Sequence, residues 1–92
     1  MIKIADWVID ADDRCYIVGK LKTRKVKTKD GTELFENYIA SPRYYTTLKN
    51  ACDGILEAES RNIIRDGEMS LTEAIYRIEH RKEEFEKLFE EN

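Results

Sequence analysis

Apolar and polar residues alternate along the first forty positions, which is the pattern of half-buried β-strands. A first strand is predicted over residues 2–10, with an irregularity near Ala5 where the alternation shifts. Its alternating apolar positions are Ile2, Ile4, Trp7 and Ile9. The acidic run 10–13 follows, and short acidic side chains favour turns because they accept hydrogen bonds from nearby backbone amides. A second strand is therefore expected to return beside the first.

The second strand is predicted over residues 15–28, where the alternation resumes. Gly31, preceded by an aspartate, separates it from a third strand over residues 33–40. An Asp-Gly pair between two strand-like runs is the strongest local signal for a β-hairpin, since glycine accepts a positive φ. Pro42 is expected to end the third strand, because proline has no backbone N–H to donate to a neighbouring strand.

The second half of the chain carries the three- and four-residue apolar spacing of amphipathic helices. A first helix is predicted over residues 46–66, with Thr46 or Thr47 as its N-cap. Gly67 is expected to end it in a left-handed conformation. The 92 residues suffice for one small core. The sequence therefore predicts a single α+β domain, with a three-stranded antiparallel meander over 1–40 and two helices on one face.

The second helix is predicted over residues 70–90, opened by a Ser-x-x-Glu capping box. One of its stripes is apolar and approximates a heptad seam, with Lys82 at a core-like position. The seam consists of Leu71, Ile75, Ile78, Phe85 and Phe89, with Leu88 beside it. Either the seam packs on the chain's own helix and sheet, or its distal part pairs with a partner or a second copy. The latter predicts a homodimer through Ile78, Phe85 and Phe89.

Charge changes this picture, because it is unevenly distributed. The chain has 16 lysines and arginines against 19 aspartates and glutamates, a formal net charge of −3. Residues 20–29 nevertheless hold six basic residues and no acidic one: Lys20, Lys22, Arg24, Lys25, Lys27 and Lys29. An exposed ridge of Lys20 and Lys22, extended by Lys27 and Lys29, suits nucleic-acid phosphates. The same residues also suit a solubilising strand edge, or a contact with the chain's own acidic helix within one molecule or between two copies.

The end of the second helix is acidic. Its carboxylates are Glu83, Glu84, Glu86, Glu90 and Glu91. They form either a solvated helix face or an array that imitates nucleic-acid phosphates toward a basic protein. The second interpretation makes them the predicted protein-binding residues.

Residues suited to catalysis or metal binding are sparse. His80 is the only histidine, and the sequence has no phosphate-binding loop, nucleotide fingerprint or Cys-His metal spacing. Cys15 and Cys52 are expected to be buried thiols. We therefore predict a protein that is not an enzyme and needs no cofactor or metal. Without a signal-peptide h-region or an apolar run of about 18 residues, it is expected to be cytoplasmic, with no membrane span.

Four segments, taken in order, resemble a known group of proteins. They are Trp7-Val-Ile-Asp-Ala-Asp-Asp, Cys15-Tyr-Ile-Val, the lysine-rich run, and Tyr44-Tyr45-Thr-Thr-Leu48 leading into Ala51. This order resembles small accessory proteins of phages and mobile elements in Gram-positive bacteria. The resemblance implies action by binding, to nucleic acid or to host machinery, including anti-CRISPR inhibition of host nucleases.

The leading hypothesis is therefore an inhibitor that binds a host protein or ribonucleoprotein complex through the acidic helix end. Direct nucleic-acid binding by residues 20–29 is the alternative. A homodimeric scaffold is the third hypothesis.

Overall fold

The computed structural model describes residues 1–91 as an α+β fold, in which a four-stranded antiparallel sheet precedes two helices. The strands lie side by side in chain order: β1 (Ile2–Ile4), β2 (Trp7–Ala11), β3 (Tyr16–Lys27) and β4 (Glu33–Tyr45). Helix α1 spans Leu48–Arg65 and helix α2 spans Leu71–Glu91. The predicted class is confirmed, whereas the predicted number of three strands is wrong.

The additional strand arises because the first predicted strand folds back on itself. Ala5 has a φ of 55°, and the two-residue turn of Ala5 and Asp6 places Ile4 opposite Trp7. The irregularity expected near Ala5 is thus a complete chain reversal. Glycine and asparagine are the residues that usually adopt positive φ in such turns, so an alanine there gives no sequence signal of a hairpin.

β4 continues past the proline that was expected to end it. Ser41 has a φ of 50°, and Ser41 and Pro42 together oppose Gly19 in a β-bulge. β4 is an edge strand, where a missing proline N–H is tolerated. Gly19 is required because a Cβ there would lie 2.8 Å from the Ala40 carbonyl oxygen.

Both helices begin as predicted, but α1 ends differently. The Thr47 hydroxyl caps α1 by accepting a hydrogen bond from the Asn50 backbone N–H at 3.1 Å, and Ser70 caps α2 in the same way. Gly67 does not take the expected left-handed conformation. Asp66 ends α1 instead, with its backbone N–H bonded to the carbonyl three residues earlier.

The core lies between one face of the sheet and the two helices. Its buried cluster consists of Ile4, Ile9, Val18, Ala51, Ile55 and Phe85. Leu88 and Phe89 pack against this cluster. The distal part of the seam therefore packs within the chain, as the first interpretation of the seam states. A homodimer through Phe85 does not fit this placement, because the ring is only 5% exposed.

The N-terminal part of the seam is exposed to solvent, unlike the distal part. Leu71 is 78% exposed and Ile75 is 49% exposed. Ala74 is buried in their place, so the buried side of α2 at this end is not the predicted seam. The predicted stripe therefore enters the core only from its middle onward.

The distal half of the β3–β4 hairpin projects from the body. β2 pairs with β3 only as far as Lys20, so residues 21–39 form a two-stranded ribbon with mostly exposed side chains. We call this ribbon the arm. The molecule is correspondingly elongated, measuring 57 × 32 × 21 Å.

Candidate functional site

The basic residues of the arm region are divided between two faces. Side chains alternate along β3, so Lys20, Lys22 and Arg24 lie on the face that carries the helices, whereas Lys25 and Lys27 lie on the other. Lys29 lies in the hairpin turn. The prediction of one ridge that joins Lys20 and Lys22 to Lys27 and Lys29 is wrong, because even and odd positions of a strand face opposite ways.

Three of these cations are paired with carboxylates of the same sheet. The pairs are Lys20 with Asp6 at 2.9 Å, Arg24 with Glu36 at 3.3 Å and Lys25 with Glu33 at 3.5 Å. Throughout residues 1–91, Lys22, Lys27 and Lys29 have no carboxylate within 4.0 Å. No ion pair joins the basic hairpin to the acidic end of α2 within the described residues; the partners of the hairpin cations lie in the sheet and in the turn between β1 and β2.

A groove of about 380 Å³ lies between α1 and the helix-side face of β3 and β4. Five basic residues line it: Lys20, Lys22, Arg43, Arg61 and Arg65. Of the described residues, no aspartate or glutamate contributes to the lining. We call this cleft the basic groove. In a chain with a net charge of −3, it concentrates positive charge where an anion would be enclosed on two sides.

The β-bulge in β4 is what turns Arg43 toward the groove. If the register of Lys20 with Ala40 continued unbroken, Arg43 would lie opposite Ile17 on the far face. The extra residue shifts the pairing so that Arg43 lies opposite Val18. A one-residue shift turns every later side chain to the other face, so the bulge directs Arg43 toward α1.

Two arginines of α1 form the other wall of the groove. Arg61 and Arg65 are four residues apart in α1 and therefore lie on one face of the helix. Gly54, earlier in α1, leaves room for the Tyr45 ring, since a Cβ at Gly54 would overlap the Tyr45 hydroxyl. The sequence gives the Arg61–Arg65 spacing directly, but only the fold places it opposite β3.

Trp7 also lines the groove, and a hydrogen bond to Glu59 fixes its indole ring. Its indole Nε1 donates a hydrogen bond to Glu59 Oε1 at 2.7 Å, and Arg81 Nη1 donates to Glu59 Oε2 at 3.0 Å. Glu59 is only 6% exposed, and the Arg81 guanidinium compensates its charge behind the groove wall. On the ring itself, the Lys20 ammonium lies 4.9 Å from the centroid, a cation–π distance.

The groups with shifted pKa values lie outside the groove. Hydrogen bonds from the Thr28 side chain and the Thr32 backbone lower the pKa of Asp30 to about 2, which supports the predicted hairpin turn, where Gly31 has a φ of 87°. In the turn between β2 and β3, hydrogen bonds from the backbone N–H groups of Arg14 and Cys15 likewise lower the pKa of Asp12.

The two cysteines are free and half-buried rather than fully buried as expected. Burial, followed by the nearby Asp53 carboxylate, raises the pKa of the Cys52 thiol. A raised pKa keeps the thiol protonated and weakly nucleophilic at neutral pH.

The predicted acidic residues are all exposed on α2: Glu83, Glu84, Glu86, Glu90 and Glu91. Glu84 pairs with His80 at 3.0 Å and with Arg81 at 3.7 Å. For Glu83, Glu86 and Glu90, no ion pair is formed with any described residue. Helical spacing places these three on one face, opposite the buried Phe85.

His80 is exposed and stacks on Tyr76, with 6.4 Å between ring centroids. Within the described chain, no three His, Cys, Asp or Glu side chains converge as a metal site. Neither described helix is long and apolar enough to cross a membrane. Comparison with protein-family models, curated proteins and solved structures found no match to this chain.

Proposed function

We propose that the basic groove binds the phosphate backbone of a nucleic acid. The observation that carries this proposal is a lining of five cations to which none of the described residues adds a carboxylate. Lysine and arginine that contact phosphates release condensed counterions, and this release drives binding that is independent of sequence. Such binding is typically in the micromolar to submillimolar range at physiological salt.

The ion pairs around the groove leave its cations available. Lys22, Arg43 and Arg65 form no ion pair with any residue in the described range. Arg61 is paired with Glu57 at 3.5 Å and Lys20 with Asp6 at 2.9 Å, both exposed. Exposed pairs contribute about 0–1 kcal/mol, so a phosphate can replace either carboxylate at low cost.

The double variant Lys22→Ala/Arg65→Ala is expected to bind nucleic acid roughly 10- to 30-fold more weakly. It removes one cation from each wall, and each lost phosphate contact also lowers the log–log salt slope by about 0.7–0.9. The measurement is fluorescence anisotropy of labelled DNA and RNA at two salt concentrations.

The matched control is Lys27→Ala/Lys29→Ala, which removes the same charge outside the groove. It is expected to change affinity less than about threefold, because distant exposed charges are screened over about 10 Å in ordinary buffer. Equal losses in the two double variants would assign binding to the overall number of positive charges and not to the basic groove. Absence of binding at low salt would contradict the proposal.

A second candidate function is inhibition of a host protein through the acidic face of α2. The supporting observation is that Glu83, Glu86 and Glu90 share one exposed face without an ion pair inside the described chain. An array of carboxylates can occupy a channel that normally holds nucleic-acid phosphates. This candidate agrees with the resemblance to accessory proteins that obstruct nucleic-acid-targeting defence complexes.

For this candidate, Glu83→Gln/Glu86→Gln/Glu90→Gln is expected to slow association with a guide-loaded Cas9-type nuclease by about tenfold or more at low salt. The control carries the same charge change elsewhere: Asp13→Asn, Asp53→Asn and Glu68→Gln. Stopped-flow fluorescence gives both association rates. Equal rates for the two triple variants would remove the acidic face from consideration.

A further inference from the structure

We infer that the basic groove takes a single strand of nucleic acid and not a duplex. This inference rests on the proposed function and names its ligand. Three features of the groove lead to it: the spacing of its cations, its enclosure on two sides, and an aromatic ring on the same face.

The cations are spaced like successive phosphates of an extended strand. Lys20 and Lys22 are alternate residues of β3, which places them about 6.6 Å apart at 3.3 Å per residue. Arg61 and Arg65 are four residues apart in α1, about 6 Å along the helix axis. Neighbouring phosphates of an extended strand, joined through one sugar, have a separation of similar size.

The groove is enclosed by α1 on one side and by the strands on the other. A cleft of about 380 Å³ is in the size range of small-ligand sites. A duplex is too wide to enter it and would reach only the rim with one strand. A single strand can lie between the walls and contact cations on both.

The arm places an aromatic ring where the strand would leave the groove. Tyr38 lies directly opposite Lys22 and therefore shares its face. The Arg24 guanidinium lies 4.9 Å from the centroid of the Tyr38 ring. Beyond this point the Arg24–Glu36 pair, at 3.3 Å, neutralises the face of the arm.

Tyr38 and Arg24 form a stacking surface for an unpaired base. Unstacked bases of single strands stack on tyrosine rings and guanidinium planes. The bases inside a duplex are already stacked on one another and offer no free face. The combination of a phosphate-sized cation row and a ring therefore favours a single strand.

The first test compares labelled oligo(dT) of 2–12 nucleotides with a blunt hairpin duplex, using the unaltered protein. Affinity for the single strand is expected to rise with length and to level off near about four nucleotides. Lys20 and Arg24 are roughly 13 Å apart at 3.3 Å per residue, which is about two phosphate spacings and therefore three nucleotides, and one further nucleotide lies at the helical wall. The single strand is expected to bind at least tenfold more tightly than the duplex at equal salt.

The second test replaces the ring without changing charge. Tyr38→Leu is expected to weaken single-strand binding about tenfold and to leave the salt slope unchanged, because stacking and counterion release are separate contributions. Tyr38→Phe keeps the ring and is expected to restore most of the affinity that Tyr38→Leu loses. Circular dichroism checks that both variants remain folded.

The outcomes separate this inference from the proposed function. A duplex that binds as tightly as the single strand, with both weakened by Lys22→Ala/Arg65→Ala, would overturn the single-strand inference and leave the proposed function standing. An affinity for oligo(dT) that changes neither with Tyr38→Leu nor with strand length would overturn the single-strand inference as well. Absence of binding to either probe at low salt would overturn both.

Discussion

Replacing Phe85 by alanine is expected to lower the free energy of unfolding by about 3–5 kcal/mol. The ring is 5% exposed and belongs to the buried cluster between the sheet and the helices. It also contacts Phe89, with 6.2 Å between ring centroids. Its removal leaves a cavity lined by branched side chains that cannot collapse fully. Since small domains have a total stability of about 5–15 kcal/mol, the variant should be close to unfolding. Urea unfolding followed by Trp7 fluorescence measures the change.

Leu71→Ala is the matched control on the same helix and in the same predicted seam. Leu71 is 78% exposed, so its truncation should change stability by no more than about 0.5 kcal/mol. Equal stability of the two variants, with light scattering showing a parent dimer that dissociates in the Phe85 variant, would reverse the assignment. The distal seam would then be an interface between copies.

The number of strands and the end of β4 were mispredicted because two backbone conformations, at Ala5 and at Ser41, carry no residue signature. Ala5 and Ser41 both adopt positive φ, a conformation expected of glycine, asparagine or aspartate. Periodicity reports which side chains are buried along an element, not where the backbone reverses or gains a residue. The helices were located better because Thr47 and Ser70 mark their starts chemically. The sequence therefore predicts the elements, whereas tertiary packing decides the turn and the bulge.

The candidate site was only partly predictable for the same reason. The run 20–29 led to Lys20 and Lys22, but it also included residues of the opposite face. Arg43 was missed because its direction depends on the bulge. Arg61 and Arg65 carry a readable four-residue spacing, yet nothing local in α1 shows that this face lies opposite β3. The contiguous basic run 20–29 thus includes cations that lie outside the basic groove. It gives no indication of the groove itself, whose cations come from β3, β4 and α1.

The second large effect is expected at Glu59, the buried carboxylate behind the groove wall. Glu59→Ala should lower the free energy of unfolding by about 2–3 kcal/mol, mainly because the Trp7 indole N–H loses its buried acceptor. Arg81 is 42% exposed and lies 3.7 Å from Glu84, so it retains water and a second partner. Glu59→Gln keeps an oxygen acceptor for Trp7 and should cost only about 1 kcal/mol. Urea unfolding followed by circular dichroism compares both with the parent.

A double-mutant cycle decides whether this network joins the groove wall to the helices. Glu59→Ala is expected to act mainly by removing the hydrogen bond from Trp7 to Glu59. In that case the loss in free energy of unfolding of Trp7→Phe/Glu59→Ala should be about 1 kcal/mol smaller than the sum of the losses of the two single variants. Trp7→Phe combined with Leu71→Ala should be additive, since among the described residues no hydrogen bond or ion pair joins Leu71 to the Trp7–Glu59–Arg81 contacts. Coupling in the first pair alone would mean that Glu59 fixes the orientation of Trp7. Glu59→Ala should then also weaken the proposed nucleic-acid binding at Lys20. Additivity in both pairs would mean that packing alone orients the ring, and groove affinity should then survive the loss of Glu59.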